Sequence, residues 1–392
     1  MRWYRWLVAV SGLAIALTAC TSPTREAPDS LRGASAVSAS RDGADHPDLP
    51  APQVDVGRII AGGPPPDGIP PIHEPTFSPV PQVDWLKDSE PVIVLRHKGQ
   101  TKLYPVQVLT WHEIVNDEIA GDPVTVTYCP LCNTAIAFNP VVDDQVLTFG
   151  TSGSLYKSAL VMYDTQTESL WSQVERRAIA GQLSGTEMGT LPLSMLPWQT
   201  AREQLPEAAV LERPRDSDRP YGTNPYVGYD TDEWTLLDQP TDDRLPAKER
   251  VVHLLDHGVA VRATELVERQ VANVTADEQP MVLFAADGLA SALDDRAIAE
   301  GRPIPATGVF SRRVNDRTLT FTTVEGDGRV VARDADTGSK WTLLGEAVAG
   351  PLQGEQLTQV TAVDTFWFAA KAFQPELTLT DITDPLDASQ LE

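Results

Sequence analysis

From residue 91 onward the apolar positions fall into short, regular runs. PVIVLRHKG (91–99) is a nearly continuous apolar stretch closed by a turn, and it predicts a buried strand. VQVLTWHEIVNDEIAG (106–121) places apolar residues at helical spacing and predicts a helix closed by Gly121. PVTVTY (123–128), TAIAF (134–138), QVLTFGTSG (145–153), ALVMYD (159–164) and ESLWSQV (168–174) predict a series of strands. LPWQTAREQLPEA (196–208) predicts a short helix and a turn, and VVHLLDHG (251–258) a strand and turn carrying His253 and His257 at the surface. The fold class expected is α+β, mostly β.

The pattern repeats. A shift of 157 residues lays PVTVTYCPLCNTA (123–135) over PMVLFAADGLASA (280–292) without gaps, with Asn116 over Asn273. Further on, LTFGTSG is similar to LTFTTVE, and Thr167, Ser169 and Trp171 find counterparts in Thr337, Ser339 and Trp341. GQLSG (181–185) answers GPLQG (350–354), and Trp198 and Pro206 answer Trp367 and Pro375. The second stretch holds about fifteen extra residues around DDRAIAEGRPIPATG, read as a loop insertion. Two tandem related copies of one β-rich unit are therefore expected, at 79–208 and 249–385. They are joined by a Tyr/Gly/Pro-rich connector, 209–248, whose RPYGTNPYVGYD is turn chemistry.

The amino terminus reads differently. Arg2 and Arg5 precede an apolar run, Leu7 to Ala19, too short to span a bilayer as a mature helix, which is the layout of a secretory signal. Leu17-Thr18-Ala19-Cys20 resembles a bacterial lipobox, which implies removal of residues 1–19 and a lipid on the Cys20 thiol. Residues 20–78, rich in Pro, Ser, Gly, Ala and Asp, are expected to form a flexible spacer. The expected location is the extracytoplasmic face of a membrane, with the lipid on Cys20 as the anchor. Loss of residues 1–19 takes the formal charge from −24 to −26, which excludes nucleic acid as a partner on electrostatic grounds.

Cysteine counting sharpens the chemistry. With Cys20 lipidated, Cys129 and Cys132 are the only free thiols of the mature chain, so a four-thiolate zinc or iron–sulfur site within one chain is excluded. The repeat separates shared architecture from what one half alone carries. Cys129 faces Ala286, Cys132 faces Leu289, Tyr128 faces Ala285, His112 faces Arg269 and Met162 faces Ala332. The unit tolerates Ala and Leu where the thiols sit, so the thiols are not needed to build it.

Three chemistries fit C-P-L-C. The leading expectation is a transition-metal site of Cys129, Cys132, His112 and Met162. Two thiolates with imidazole and thioether suit copper, and zinc with two Cys, His and water is the other option; a metal-donor or metal-acceptor protein is the implied partner. The second is a thiol–disulfide oxidoreductase, although thioredoxin-like enzymes set C-x-x-C at a helix start and NTAIAFNP reads as a strand. The third is a structural staple, leaving a cell-surface binding or scaffold module that uses aromatic loops such as YGTNPYVGY. Glu113 and Asp117 are read as exposed helix acids, with support of the metal ligands as the alternative. Trp111-His112-Glu113 fails the H-E-x-x-H zinc motif because Asn116 holds the second histidine's place. The glycines of FGTSGS are too loosely spaced for a phosphate loop.

WHEIVND, VTYCPLCNTAIAF, LVMYD, SLW-Q, YG-NPY and the late DTGS-W, GPL-G and FWFA together resemble the family catalogued as domain of unknown function 3179, of exported bacterial and archaeal proteins. The resemblance covers roughly residues 80–380 and implies no particular activity. The family often has Phe-His-Pro near its end, where this chain has Phe373-Gln374-Pro375.

Overall fold

The computed structural model describes residues 49–231, 242–324, 329–380 and 382. The signal sequence, Cys20 and the start of the spacer lie outside the described residues. Among those described, the protein is mostly β, with four α-helices of seven residues each: Val106–His112, Trp198–Gln204, Ala263–Arg269 and Trp367–Phe373. No helix among them is long and apolar enough to cross a membrane.

The first half, counted to residue 211, builds three main sheets and a two-stranded hairpin, Val141–Val142 with Gln145–Val146. One runs Leu193–Pro197, Pro91–His97, Gln100–Pro105, Ala209–Leu211, Phe77–Pro79. The second runs Thr190–Leu191, Thr134–Phe138, Asp122–Cys129, Ile114–Ile119. The third runs Ile59–Ala61, Phe149–Tyr156, Ala159–Asp164, Leu170–Ser172, Arg177–Ala180. The second half also has three main sheets, whose longest strands are Arg250–Leu254, Gln279–Ala290 with Pro303–Ser311, and Val330–Asp334. The same order, strand, strand, helix, strand, strand, runs through 91–129 and through 250–290.

Local bonding also recurs. The Asn116 amide donates to Phe149 O at 2.8 Å and accepts from Phe149 N at 2.9 Å; Asn273 does the same with Phe321 at 2.8 and 3.0 Å. Asp164 accepts from Thr167 N at 2.6 Å and from the Trp171 indole at 2.9 Å, and Asp334 accepts from Thr337 N and the Trp341 indole at the same distances. A fully buried Trp needs an acceptor for its N–H, and these aspartates supply it.

Several expectations are corrected. The helical spacing of 106–121 holds only as far as His112. Glu113 turns to φ 58°, and Ile114–Ile119 runs as a strand with Ile114 opposite Thr127 and Asp122 opposite Ile119. β-branched Ile114 and Val115 gain more from that pairing than from a further helical turn, and Ala120 and Gly121, both at positive φ, close a hairpin instead of capping a helix. Part of the expected spacer belongs to the body: Ile59–Ala61 pairs with Ser154–Tyr156, and Phe77–Pro79 pairs with Ala209–Leu211. Gly153 of FGTSGS, at φ 71°, lets this strap lie close; a Cβ there would stand 2.1 Å from Pro64 O. His253 is buried rather than on the surface, bonded to Gln374 at 2.6 Å, and burial pulls its pKa down to about 4. The insertion is only partly a loop, since Pro303–Ser311 is a strand paired with Gln279–Ala290.

The apolar core is not divided between the halves. One cluster runs from Val92 and Trp198 through to Val282, Phe321 and Trp341. A second joins Cys129, Cys132, Met162 and Trp171 to Tyr229, Leu293 and Phe366.

Candidate functional site

The C-P-L-C turn grows out of a central strand. Asp122–Cys129 is paired on one side with Ile114–Ile119 and on the other with Thr134–Phe138, with Cys129 opposite Thr134. Pro130 lacks an N–H and suits a position with no ladder bond. Asn133 takes φ 53°, a left-handed conformation that Asn tolerates, and its N–H bonds to Pro130 O at 3.2 Å. The turn leads directly into a strand rather than a helix.

Both thiols are free and buried, Cys129 at 2% exposure and Cys132 at 0%. Cys132 Sγ donates to Cys129 O at 3.9 Å. Burial pushes the Cys129 thiol up, and the neighbouring Cys132 adds to that.

Chain remote in sequence holds the turn. Cys132 O accepts from Phe366 N at 3.1 Å and from Thr365 Oγ1 at 3.0 Å. The Asn133 amide donates to Asp364 O at 3.4 Å, and Leu131 O accepts from the Tyr229 hydroxyl at 2.8 Å. Tyr229 is fixed in turn by Lys248, whose Nζ donates to its carbonyl at 2.6 Å and lies over its ring. The connector is seated against the second half: Asn224 N and Gly228 N bond to Arg296 O and Asp294 O, and buried Asp230 pairs with Arg250 at 3.0 Å.

Glu113 is the main departure from expectation at this site. It was expected as an exposed helix acid or as a support for the metal ligands, yet the residue is 7% exposed at the helix end, and its carbonyl accepts from Tyr128 N at 2.8 Å. Burial pushes this acid well above the usual carboxylate range, and the adjoining sulfur pushes it further. Among the described residues no hydrogen bond to this carboxyl is present. Half-buried Tyr226, from the connector, senses both Glu113 and Cys129, and its phenol is pushed well up, first by burial. Asp117 is also off the surface and on a strand, held by Lys102 at 2.8 Å and Tyr104 at 2.8 Å.

The other expected ligands differ in placement. Met162 is fully buried in the same apolar cluster as the two cysteines. His112 is buried with both ring nitrogens engaged: Nδ1 with Pro70 O at 2.7 Å and Nε2 with the Tyr221 hydroxyl at 2.6 Å. Since a carbonyl only accepts, Nδ1 carries the proton and Nε2 accepts from Tyr221. Burial holds the His112 pKa down. Among the described residues, no group of three or more His, Cys, Asp or Glu is arranged to hold a metal ion.

Glu113 stands where the 157-residue shift puts Gln270, so the comparison that singled out the cysteines contained that difference too. One polar residue beside the turn escaped the sequence reading. Gln173 is fully buried, donating to Thr127 Oγ1 at 2.8 Å and Thr134 O at 3.1 Å beside the turn. The alignment that matches Trp171 to Trp341 sets Leu343 opposite it.

A family model described as "Protein of unknown function (DUF3179)" matches residues 66–377. No curated protein and no solved structure matches the chain.

Proposed function

Because the chain belongs to the DUF3179 family, whose description assigns no chemistry, we propose from the site alone that Cys129 and Cys132 form a thiol–disulfide redox centre. The observation that carries this reading is the placement of two free, buried thiols in one turn, where Cys132 Sγ lies 3.9 Å from Cys129 O. Burial supports it further. A low-dielectric site penalises every charged form. The exchange of a neutral dithiol for a neutral disulfide leaves the net charge of the site unchanged. The reaction is two protein thiols plus a small disulfide R–S–S–R giving the Cys129–Cys132 disulfide and two R–SH. Two electrons pass to the partner's sulfurs, and both thiol protons end on the released thiols. The burial of the turn favours a small partner.

Soft-metal binding by the same two sulfurs is the second reading, with copper or zinc as the ion. Its support is the softness of two thiols three positions apart, with buried Met162 in the same apolar cluster. Met162 is the nearest candidate thioether; His112 would first have to give up its bonds to Pro70 or Tyr221. A metal-donor or metal-acceptor protein would be its partner.

We read the two halves as tandem copies of one unit, the second without the thiols, and the whole as a lipoprotein held at Cys20 on the extracytoplasmic face. The lipobox-like Leu17–Cys20 and the paired Asn and Asp bracket bonds support these readings. An exported compartment also permits disulfide chemistry.

The test uses the full chain carrying Cys20→Ser, so that only two thiols contribute. In oxidised and reduced glutathione buffers both thiols are expected to disappear and return together. Two free thiols persisting in the most oxidising buffer would sink the redox reading. One equivalent of copper retained through gel filtration, and lost in Cys129→Ser/Cys132→Ser, would then establish the metal reading.

A further inference from the structure

We propose that the cleft beside Asn116 binds a guanidinium group, the head of an arginine or of a small arginine-like compound. The second half holds such a group in the matching place. Arg312 follows the strand Pro303–Ser311, and its Nη1 donates to Asn273 Oδ1 at 3.4 Å and to Leu319 O at 3.2 Å. Backbone bonds identify the first-half residue that takes its position. Leu319 N bonds to Arg312 O at 2.9 Å, and Leu147 N bonds to Pro140 O at 3.0 Å. Two residues before each, Phe310 lies opposite Val282 and Phe138 opposite Thr125. Asn273 brackets Phe321 as Asn116 brackets Phe149. The first half therefore has the same frame, with a proline where the second has its arginine.

At this place the first half has a cleft of about 330 Å³, a size that suits a small ligand or one side chain of a partner. Asn116 and Leu147, the counterparts of Asn273 and Leu319, line it. Leu319 O accepts from Arg312, whereas Leu147 O receives no hydrogen bond among the described residues. Asn116 Oδ1 accepts from Phe149 N at 2.9 Å and, at a long 3.4 Å, from the Thr125 hydroxyl, which is free to rotate away. Two acceptors thus stand where Arg312 finds two acceptors. Val124, Pro140 and Val146 give the cleft an apolar wall suited to the methylene stem of an arginine.

The charges around the cleft differ between the halves as well. Asp336, an acid within electrostatic reach of Arg312, accepts from Thr320 N at 2.8 Å; its counterpart Gln166 accepts from Thr148 N at 3.0 Å and carries no charge. The acids of the first-half cleft are Asp117 and Glu118, where the strand pairing sets Val274 and Thr275 in the second. Lys102 matches Asp117 at 2.8 Å, but Glu118 is exposed and forms no ion pair among the described residues. Glu118 shares its strand face with Asn116. His73, at the rim, accepts from the Asn116 amide at 3.2 Å through Nδ1, so its ring is neutral in this arrangement. A planar cation suits this set, because separate N–H groups can reach Asn116 Oδ1 and Leu147 O while the charge faces Glu118.

The probes are acetyl-arginine amide, agmatine and acetyl-lysine amide, titrated calorimetrically into the full Cys20→Ser chain. The arginine probe is expected to bind about 10-fold more tightly than the lysine probe, which has no planar fork to reach both acceptors. Capped arginine bound more tightly than agmatine assigns the ligand to an arginine of a partner chain, and the reverse order assigns it to a free guanidino compound. Pro140→Arg gives the cleft a guanidinium of its own and is expected to abolish binding; Arg312 in the matching backbone position indicates that the change is accommodated. Glu118→Thr, which installs the second-half residue, should weaken binding by about 2- to 5-fold. If Pro140→Arg does not fold, the lysine comparison and Glu118→Thr decide the question. Arginine and lysine probes that bind equally, or binding that persists in a folded Pro140→Arg protein, would reduce the effect to general attraction to an acidic protein and overturn the proposal. So would the absence of binding by both guanidinium probes.

Discussion

At the scale of single residues, burial decides what the ionisable groups can do. Asp364 shows this outside the dithiol. Thr307 Oγ1 donates to its carboxyl at 2.8 Å, Arg250 lies within electrostatic reach, and its carbonyl receives Asn133. Burial still raises its pKa to about 6, from an ordinary 3.8. The folded form therefore holds a proton that the unfolded chain has lost between those two values. This contribution to stability is fully present below the unfolded pKa and is lost as pH rises through about 6. That difference corresponds to about 3 kcal/mol, which partial exposure of the residue reduces to about 1–2 kcal/mol. Glu90 and Glu113 are shifted in the same direction and Asp230 in the opposite one. The informative measurement is thus the difference in urea stability between parent and Asp364→Asn from pH 4 to pH 8. The difference is expected to change across that window, and a constant offset would remove Asp364 from the account. None of this was legible in the sequence, where Asp364 is one acid among 55 acidic residues. Its environment comes from Thr307, 57 positions away.

At the scale of elements, the recurring unit is the bracket in which an aspartate binds a threonine N–H, a threonine hydroxyl and an indole. The Thr167 hydroxyl bonds to Asp164 at 2.8 Å and to Ser169 at 2.7 Å, while the Thr337 hydroxyl bonds to Asp334 at 3.0 Å and to Ser339 at 2.7 Å. Both aspartates and both tryptophans are fully buried. Asp164→Ala and Asp334→Ala each strand a buried indole N–H and open a turn. Each is expected to cost about 3 kcal/mol or more, seen as a drop in the urea midpoint. An Asp334→Ala protein of unchanged midpoint would contradict the reading of these residues as structural. This level was the most legible one, because every partner lies within seven residues of its aspartate. The strands 123–128, 134–138 and 159–164 and the helix starting at Trp198 were legible for the same reason: alternation and helical spacing are local properties. The exception is 114–119, where the apolar spacing fits a helix and the pairing with 122–127 selects a strand.

At the scale of the whole molecule, the thiol turn is a junction. Its carbonyls are held by Thr365, Phe366 and Tyr229, and one apolar cluster runs through both halves. A fragment of residues 49–231 is therefore expected to bind the dye ANS and to label at Cys129 and Cys132 with a thiol reagent at least about 100-fold faster than the intact chain, in line with loss of a protecting interface. Equal labelling rates would mean that the second half does not guard the thiols.

The sequence alone determined the β-rich class, the strand that ends in C-P-L-C, the paired motifs and the asymmetry that marks Cys129 and Cys132. These are set by residue spacing and by the backbone preferences of Pro, Gly, Asn and β-branched side chains, which act over a few positions. Only the tertiary structure decided that Glu113 is buried, that His112 ties Pro70 to Tyr221, and that the thiols lie under chain from the connector and the second half. Those outcomes depend on burial and on partners 42 to 233 residues apart, and no local pattern carries that information.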